Sequence, residues 1–176
     1  MATVYYHDEK DSVDSREPHS TGVPVSLEQL ADIGVFYKHI PQFEDVNKLA
    51  TQRNYRNRDT VSISEKALGA EALESKLKMF YAEHLHEDEE IRYCLDGDGF
   101  FDLRDPRDER WIRVLLQPGD LLIVPAGIYH RFTLTTRNYI KALRLFKDEP
   151  KWVAHGRPYA DSSAIRTEYL ASVQTQ

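Results

Sequence analysis

A chain of 176 residues is long enough for one domain with a sizeable core and too short for two full domains. Hydrophobic residues at 41% and charged residues at 30% place it among ordinary globular proteins and exclude a fibrous repeat or bulk disorder. A net charge of −6, with the acidic residues scattered, argues against a nucleic-acid partner, because a phosphate backbone asks for a basic face. No run approaches the roughly 18 apolar residues of a membrane span, and the polar amino terminus lacks the apolar core of a signal peptide. The single cysteine, Cys94, rules out an intrachain disulfide, so the expected setting is cytoplasmic, with the nucleus reachable by diffusion.

In chain order, residues 1–22 are rich in Asp, Ser and His and read as a flexible or edge segment. Ser26 and Gln29 make a capping-box signature, Leu27, Leu30 and Ile33 lie near helical spacing, and Gly34 supplies a stop, so a short helix is expected. Val35 to Ile40 reads as a strand ended by Pro41, and Phe43, Val46, Leu49 and Ala50 repeat as a second helix. A third helical stretch begins near Ser64 and is broken by Gly69 before Leu73 and Leu77.

From Phe80 onward the pattern changes to short apolar or alternating runs: Phe80–Leu85, Glu90–Leu95, Phe100–Arg104, Trp111–Leu116, Leu121–Val124, His130–Thr135 and Ile140–Phe146. Turn chemistry separates them at Asp96-Gly97-Asp98-Gly99, Asp105-Pro106, Pro118-Gly119 and Pro125-Ala126-Gly127. Consecutive antiparallel strands of this kind imply a barrel or sandwich, because an open stack of hairpins leaves unprotected edges. The organisation expected is a single mainly β domain over residues 23–161 with a helical front, followed by a polar, loosely docked tail over residues 162–176.

Four residues carry the chemistry. On a strand, His84 and His86 project from one face and reach a common ion. The polar segment Glu87-Asp88-Glu89 can turn the chain into a hairpin that brings Glu90 back beside them, and His130 opens a later strand on the face it shares with Phe132 and Leu134. A His-x-His alone would arise by chance in roughly one chain in four of this composition, so the context decides. That context is Gly97 six residues beyond Glu90, and Gly119, Pro125 and Gly127 leading into His130. His7, His19, His39 and His155 lack such spacing and read as surface or core residues.

These spacings resemble the two motifs of the cupin superfamily, His-x-His-x3-Glu-x6-Gly at His84–Gly97 and Gly-x5-Pro-x-Gly-x2-His at Gly119–His130. The chain departs from them at Lys78, where the first motif often has Gly, and at Leu134, where the second often ends in Asn. Neither position is a ligand. The likeness is closer to the acireductone dioxygenase family, through Glu83-His84-Leu85-His86, Glu89-Glu90-Ile91-Arg92-Tyr93, Gly99-Phe100-Phe101-Asp102-Leu103-Arg104 and Pro125 to Phe132. Trp111-Ile112-Arg113, Ala142 to Phe146, Pro150-Lys151-Trp152, and Tyr55 and Asp59 in the helical front add to it.

The resemblance implies a cupin-type β-barrel, that is a double-stranded β-helix or jelly roll, with short N-terminal helices. Its metal ligands fall on His84, His86, Glu90 and His130. Three imidazoles and one carboxylate suit Fe²⁺, Ni²⁺, Mn²⁺ or Co²⁺ better than structural zinc, and on an octahedral ion they leave two positions open for a chelating substrate. The family implies Fe²⁺ or Ni²⁺, one per monomer, and as substrates dioxygen and the acireductone of methionine salvage, 1,2-dihydroxy-5-(methylthio)pent-1-en-3-one. The Fe²⁺ form yields formate and 4-methylthio-2-oxobutanoate; the Ni²⁺ form yields formate, carbon monoxide and 3-methylthiopropanoate.

Arg92, in phase with Glu90, is the expected catalytic and substrate-binding cation for the bound enolate, and a salt bridge within the barrel is its other role. Phe80 and Phe132 are expected to wall the methylthio arm or to pack the core. Arg144 is a candidate for the interior or for supporting a ligand carboxylate and is left outside the site, while Cys94 reads as a buried, inert thiol. Asp102, Arg104, Arg113 and Arg131 offer one surface charge network. A monomer is expected, since no long apolar surface run is visible. The alternatives are another metal-dependent cupin enzyme, an isomerase or decarboxylase, and a non-catalytic ligand-binding cupin.

Overall fold

The capping box at the front of the chain forms as its residues require. Ser26 Oγ accepts the Gln29 N–H at 3.1 Å and Gln29 Oε1 accepts the Ser26 N–H at 2.8 Å, which satisfies two of the amides a helix start leaves unpaired. In the computed structural model, which describes residues 2–151 and 153–174, this box opens α1 (Leu27–Asp32). Trp152, part of the family resemblance, lies outside the described residues, as do Met1, Thr175 and Gln176 at the ends of the terminal segments.

Ahead of α1 lie β1 (Thr3–His7) and β2 (Ser20–Pro24); after it come β3 (Phe36–His39) and α2 (Phe43–Gln52). Strand β4 (Asn57–Ser64) follows, which the sequence reading missed. Ser64 Oγ then accepts the Ala67 N–H at 3.0 Å and caps α3 (Glu65–Leu68), and Gly69 at φ 84° separates it from α4 (Ala70–Tyr81). Here one expectation is corrected. Phe80 belongs to α4 and not to a strand, because the 3.6-residue spacing of the buried Leu73 and Leu77 carries the helix one more turn. Only β5 (His84–Leu85) remains of the expected run. Lys78 sits within the helix, where no turn calls for glycine.

The remaining strands are β6 (Glu90–Gly97), β7 (Gly99–Arg104), β8 (Trp111–Leu116), β9 (Asp120–Val124), β10 (His130–Leu134), β11 (Tyr139–Phe146) and β12 (His155–Gly156), followed by α5 (Ala164–Gln174). They pair antiparallel in two sheets, β12-β5-β10-β7-β8-β1-β2 and β3-β9-β6-β11-β4. Hydrogen bonds do not close the two into one barrel, so the mainly β cupin architecture is a jelly-roll sandwich. The expected hairpin from His86 to Glu90 is also corrected: β5 and β6 lie in different sheets, and residues 87–89 cross between them.

Strand alternation sorts the side chains of β6. Ile91 and Tyr93 join Leu121, Ile123, Leu143 and Leu145 beneath Val46 and Ala50 of α2. Cys94, on the opposite face, enters the main core with Leu122, Val124, Leu103, Ile112, Val114 and Leu116. Gly97 ends β6 at φ 70°, where a Cβ would collide with the Tyr139 carbonyl.

Two charged segments differ from expectation. Asp102 and Arg113 are 1% and 0% exposed, so they form a buried centre and not a surface network. Asp102 accepts from Arg113 Nε at 2.6 Å and Nη2 at 2.9 Å and from Arg131 Nε at 2.8 Å, which pairs every charge removed from water. Arg104 instead donates to Glu83 at 2.7 Å. The polar carboxy-terminal segment forms α5, which docks through Tyr169 Oη on the Ile33 carbonyl at 2.8 Å and Arg166 Nη1 on the Gly127 carbonyl at 3.0 Å. Gly127, at φ 83°, leaves no room for a Cβ against the Ile165 carbonyl.

Candidate metal centre

His84 and His130 are direct cross-strand partners on β5 and β10 of the larger sheet, and Glu90 starts β6 of the smaller one. The four predicted ligands therefore meet from both sheets at one end of the sandwich. One ring nitrogen from each of His84, His86 and His130 lies within 4.8 Å of the others. Glu90 Oε2 stands 2.8 Å from His130 Nε2 and 3.5 Å from His86 Nε2. His130 is 2% exposed; the side chains of Glu90 and His86 are 12% and 23% exposed.

Proton placement decides what this cluster can hold. Each Nδ1 faces a backbone carbonyl: His84 that of Ala82 at 2.6 Å, His86 that of Val153 at 2.9 Å and His130 that of Ile128 at 3.0 Å. A carbonyl only accepts, so every Nδ1 carries its hydrogen, and Nε2 is the nitrogen that each ring turns toward the centre, where it offers a lone pair once deprotonated. Burial lowers His84 to about 4 and lowers His86 as well, which favours the neutral form of those two rings. Burial opposes ionisation of Glu90, but the charges of Arg92 and His130 outweigh it and hold the carboxyl well below its ordinary range. Lone pairs from three imidazoles and one carboxylate, aimed together, are the donor set of a divalent transition ion.

Arg92 makes the salt bridge set out as its other role and also faces the cavity. Its Nη2 pairs with Glu90 Oε1 at 3.0 Å and its Nη1 donates to the Ile91 carbonyl at 3.0 Å, yet the side chain also lines the cavity beside the ligands. That cavity, of about 460 Å³, is bounded by Val61, Ile63, Leu68, Met79, Phe80 and Phe132. Phe80 reaches it from α4 and meets Phe132 edge-on at 6.2 Å, so the helix delivers the ring the sequence reading had placed on a strand. Cys94 is buried away from the centre, and burial pushes its thiol up to about 12.

Several residues of the cavity escaped the sequence reading. Val61 and Ile63 alternate on β4, a signal that was present in Thr60-Val61-Ser62-Ile63-Ser64. Lys76 and Met79 reach the cavity from α4, and Arg144, left outside the site, lines it too.

Comparison with known proteins agrees with this geometry. The family model described as "ARD/ARD′ family" matches residues 3–154. Acireductone dioxygenase of Yarrowia lipolytica is 58% identical over 96% of this chain and 97% of its own length. Acireductone dioxygenase of Saccharomyces cerevisiae is 57% identical over 98% of both. Among solved structures, acireductone dioxygenase from Bacillus anthracis with cadmium ion in its active centre superposes with a TM-score of 0.68 at 23% identity, over 88% of this chain and 97% of that one, a likeness of fold. The chain belongs to the acireductone dioxygenase (ARD/ARD′) family.

Proposed function

We propose that the chain is a metal-dependent dioxygenase that cleaves acireductone with dioxygen, holding one Fe²⁺ or Ni²⁺ through His84, His86, Glu90 and His130. The products follow the ion: formate and 4-methylthio-2-oxobutanoate with Fe²⁺, or formate, carbon monoxide and 3-methylthiopropanoate with Ni²⁺. The observation that carries the reading is the convergence of three imidazole Nε2 atoms and the Glu90 carboxylate beside an apolar-walled cavity. We further propose that it acts as a monomer in the cytoplasm, and in the nucleus by diffusion, without a nucleic-acid or membrane partner. No helix among the described residues is long and apolar enough to cross a membrane.

When bound, the ion supplies Lewis acidity for an electron-rich substrate that chelates through adjacent oxygens. The protein's own contributions are separate. The three carbonyls hold the hydrogen of each imidazole on Nδ1, so Nε2 is the nitrogen presented to the ion. Arg92 is fixed by Glu90 and by its own strand, which aims a cation at the anionic substrate without reorganisation. Phe80 and Phe132 exclude water and give the methylthio arm an apolar wall.

The test is oxygen uptake and formate release after Fe²⁺ loading of the metal-free protein and addition of acireductone. No uptake by a fully metallated sample contradicts the reading and returns the isomerase or decarboxylase alternative. Arg92→Ala should keep the ion and lose about 100-fold in rate, the order expected for removing one preorganised charge donor. An unchanged rate would take Arg92 out of the reaction.

A further inference from the structure

We infer that Arg144, seated by Asp59, is a second anion-binding residue of the same cavity and not merely a strut between strands; the inference rests on the proposal that the substrate is anionic. Three strands of the smaller sheet place the charges in one row. Arg92 on β6 stands directly opposite Arg144 on β11, and Arg144 directly opposite Asp59 on β4. Directly paired residues share a sheet face, and Arg92 and Arg144 both line the cavity.

Two arginines opposite each other repel, and nothing in strand packing rewards that choice. Each has a carboxylate beside it. Arg92 has Glu90 at 3.0 Å, and Arg144 donates from Nε and Nη2 to the two oxygens of Asp59 at 2.7 and 2.6 Å. The fork-to-fork geometry fixes the Arg144 guanidinium with little freedom left.

The two carboxylates are not equivalent. Glu90 also faces His130 and His86, so its charge is shared with any cation those rings hold. Asp59 stands at the outer end of the row, its side chain 43% exposed against 22% for Arg144, so water screens its charge more than that of the arginine. Arg92 and Arg144 together thus present positive potential to the cavity, with Lys76 adding a third cation from α4. A dianion that chelates the ion at one end meets a two-arginine face at the other.

Oxalate, a small chelating dianion that does not react with dioxygen, is the probe. It is titrated calorimetrically into Ni²⁺-saturated protein at fixed ionic strength. Arg144→Gln removes the cation and should raise the Kd about fivefold, the scale of one unit charge acting across a half-exposed cavity. Asp59→Asn removes the opposing anion while its amide oxygen still accepts from Arg144, and should lower the Kd by about twofold or more. A strut gives a different result, because both substitutions weaken the same ion pair and would shift binding in the same direction.

An Arg144→Gln Kd within the error of the unsubstituted protein, or weaker oxalate binding by Asp59→Asn, overturns the inference. Metal content and melting temperature are measured for both variants; if Arg144→Gln does not fold, the direction of the Asp59→Asn shift decides. Oxygen uptake by the unsubstituted protein is scored separately. Opposite oxalate shifts without uptake sink the dioxygenase reading and keep the anion site, whereas uptake without those shifts sinks the inference alone.

Discussion

Among the described residues two clusters bring possible ligand atoms within 4.8 Å of one another, His84, His86 and His130 in one and His7, Asp8 and His19 in the other, and their geometry differs. In His84, His86 and His130 the ring planes are tilted by 75°, 56° and 50°, so lone pairs lying in those planes can cross near one point. In His7 and His19 the rings are stacked at 4.5 Å and 11°, so their lone pairs lie in nearly parallel planes that do not meet. The nitrogens are also spent differently. His19 uses Nδ1 on Asp8 at 2.7 Å and Nε2 on the Asp14 carbonyl at 2.8 Å, while His7 Nδ1 accepts the Glu9 N–H at 2.9 Å. The lesson is that proximity of donors does not make a metal centre; ring orientation and the partner of the second nitrogen do.

The comparison breaks first on function. His130→Ala should lower oxygen-dependent turnover by on the order of 1000-fold, because it removes a ligand and the Glu90 contact together, whereas His19→Ala should leave turnover within a few-fold. Steady-state oxygen uptake with added metal reads both.

The next effect is on stability. Asp102→Ala, behind the stacked pair, leaves the buried Arg113 without its carboxylate and should cost about 3–5 kcal/mol in denaturant unfolding, with the ion retained. A loss below 1 kcal/mol would mean that Arg113 finds water.

The smallest effect is a pH dependence. Burial lowers His7 to about 4. Between that value and the ordinary 6.5 the unfolded chain binds the proton and the folded chain does not, so this contribution is complete above about pH 6.5 and is lost as pH falls toward 4. His7→Gln should therefore flatten the stability curve over that window by roughly 3 kcal/mol. Parallel curves for the two proteins would contradict the burial argument.

The proposed ligands could be picked out because metal chemistry imposes spacing. Two histidines two positions apart share a face of any extended segment, and Gly97 and Gly127 mark turns that other residues would strain. Most strand runs were equally plain, since period-two patterning survives whichever sheet a strand joins. The destination was not: whether residues 87–89 make a hairpin or cross between sheets depends on packing that local sequence does not encode. Phe80 was misplaced because its run overlaps the last two residues of α4 and one apolar residue fits either period.

Charged residues concealed the rest. Asp102, Arg113 and Arg166 look like surface until their partners are known, because a buried charge held by an ion pair or a carbonyl carries no hydrophobic signature. Asp59 and Arg144, 85 positions apart, become neighbours only through strand pairing.

The proposed metal site carries one requirement, that the tilted cluster holds the ion and the stacked one does not. It is tested most directly by metal analysis of the unsubstituted protein, His130→Ala and His19→Ala after loading with Ni²⁺ and removal of excess. About one ion per chain is expected in the unsubstituted protein and in His19→Ala, and little in His130→Ala. Full retention by His130→Ala, or loss confined to His19→Ala, would contradict it.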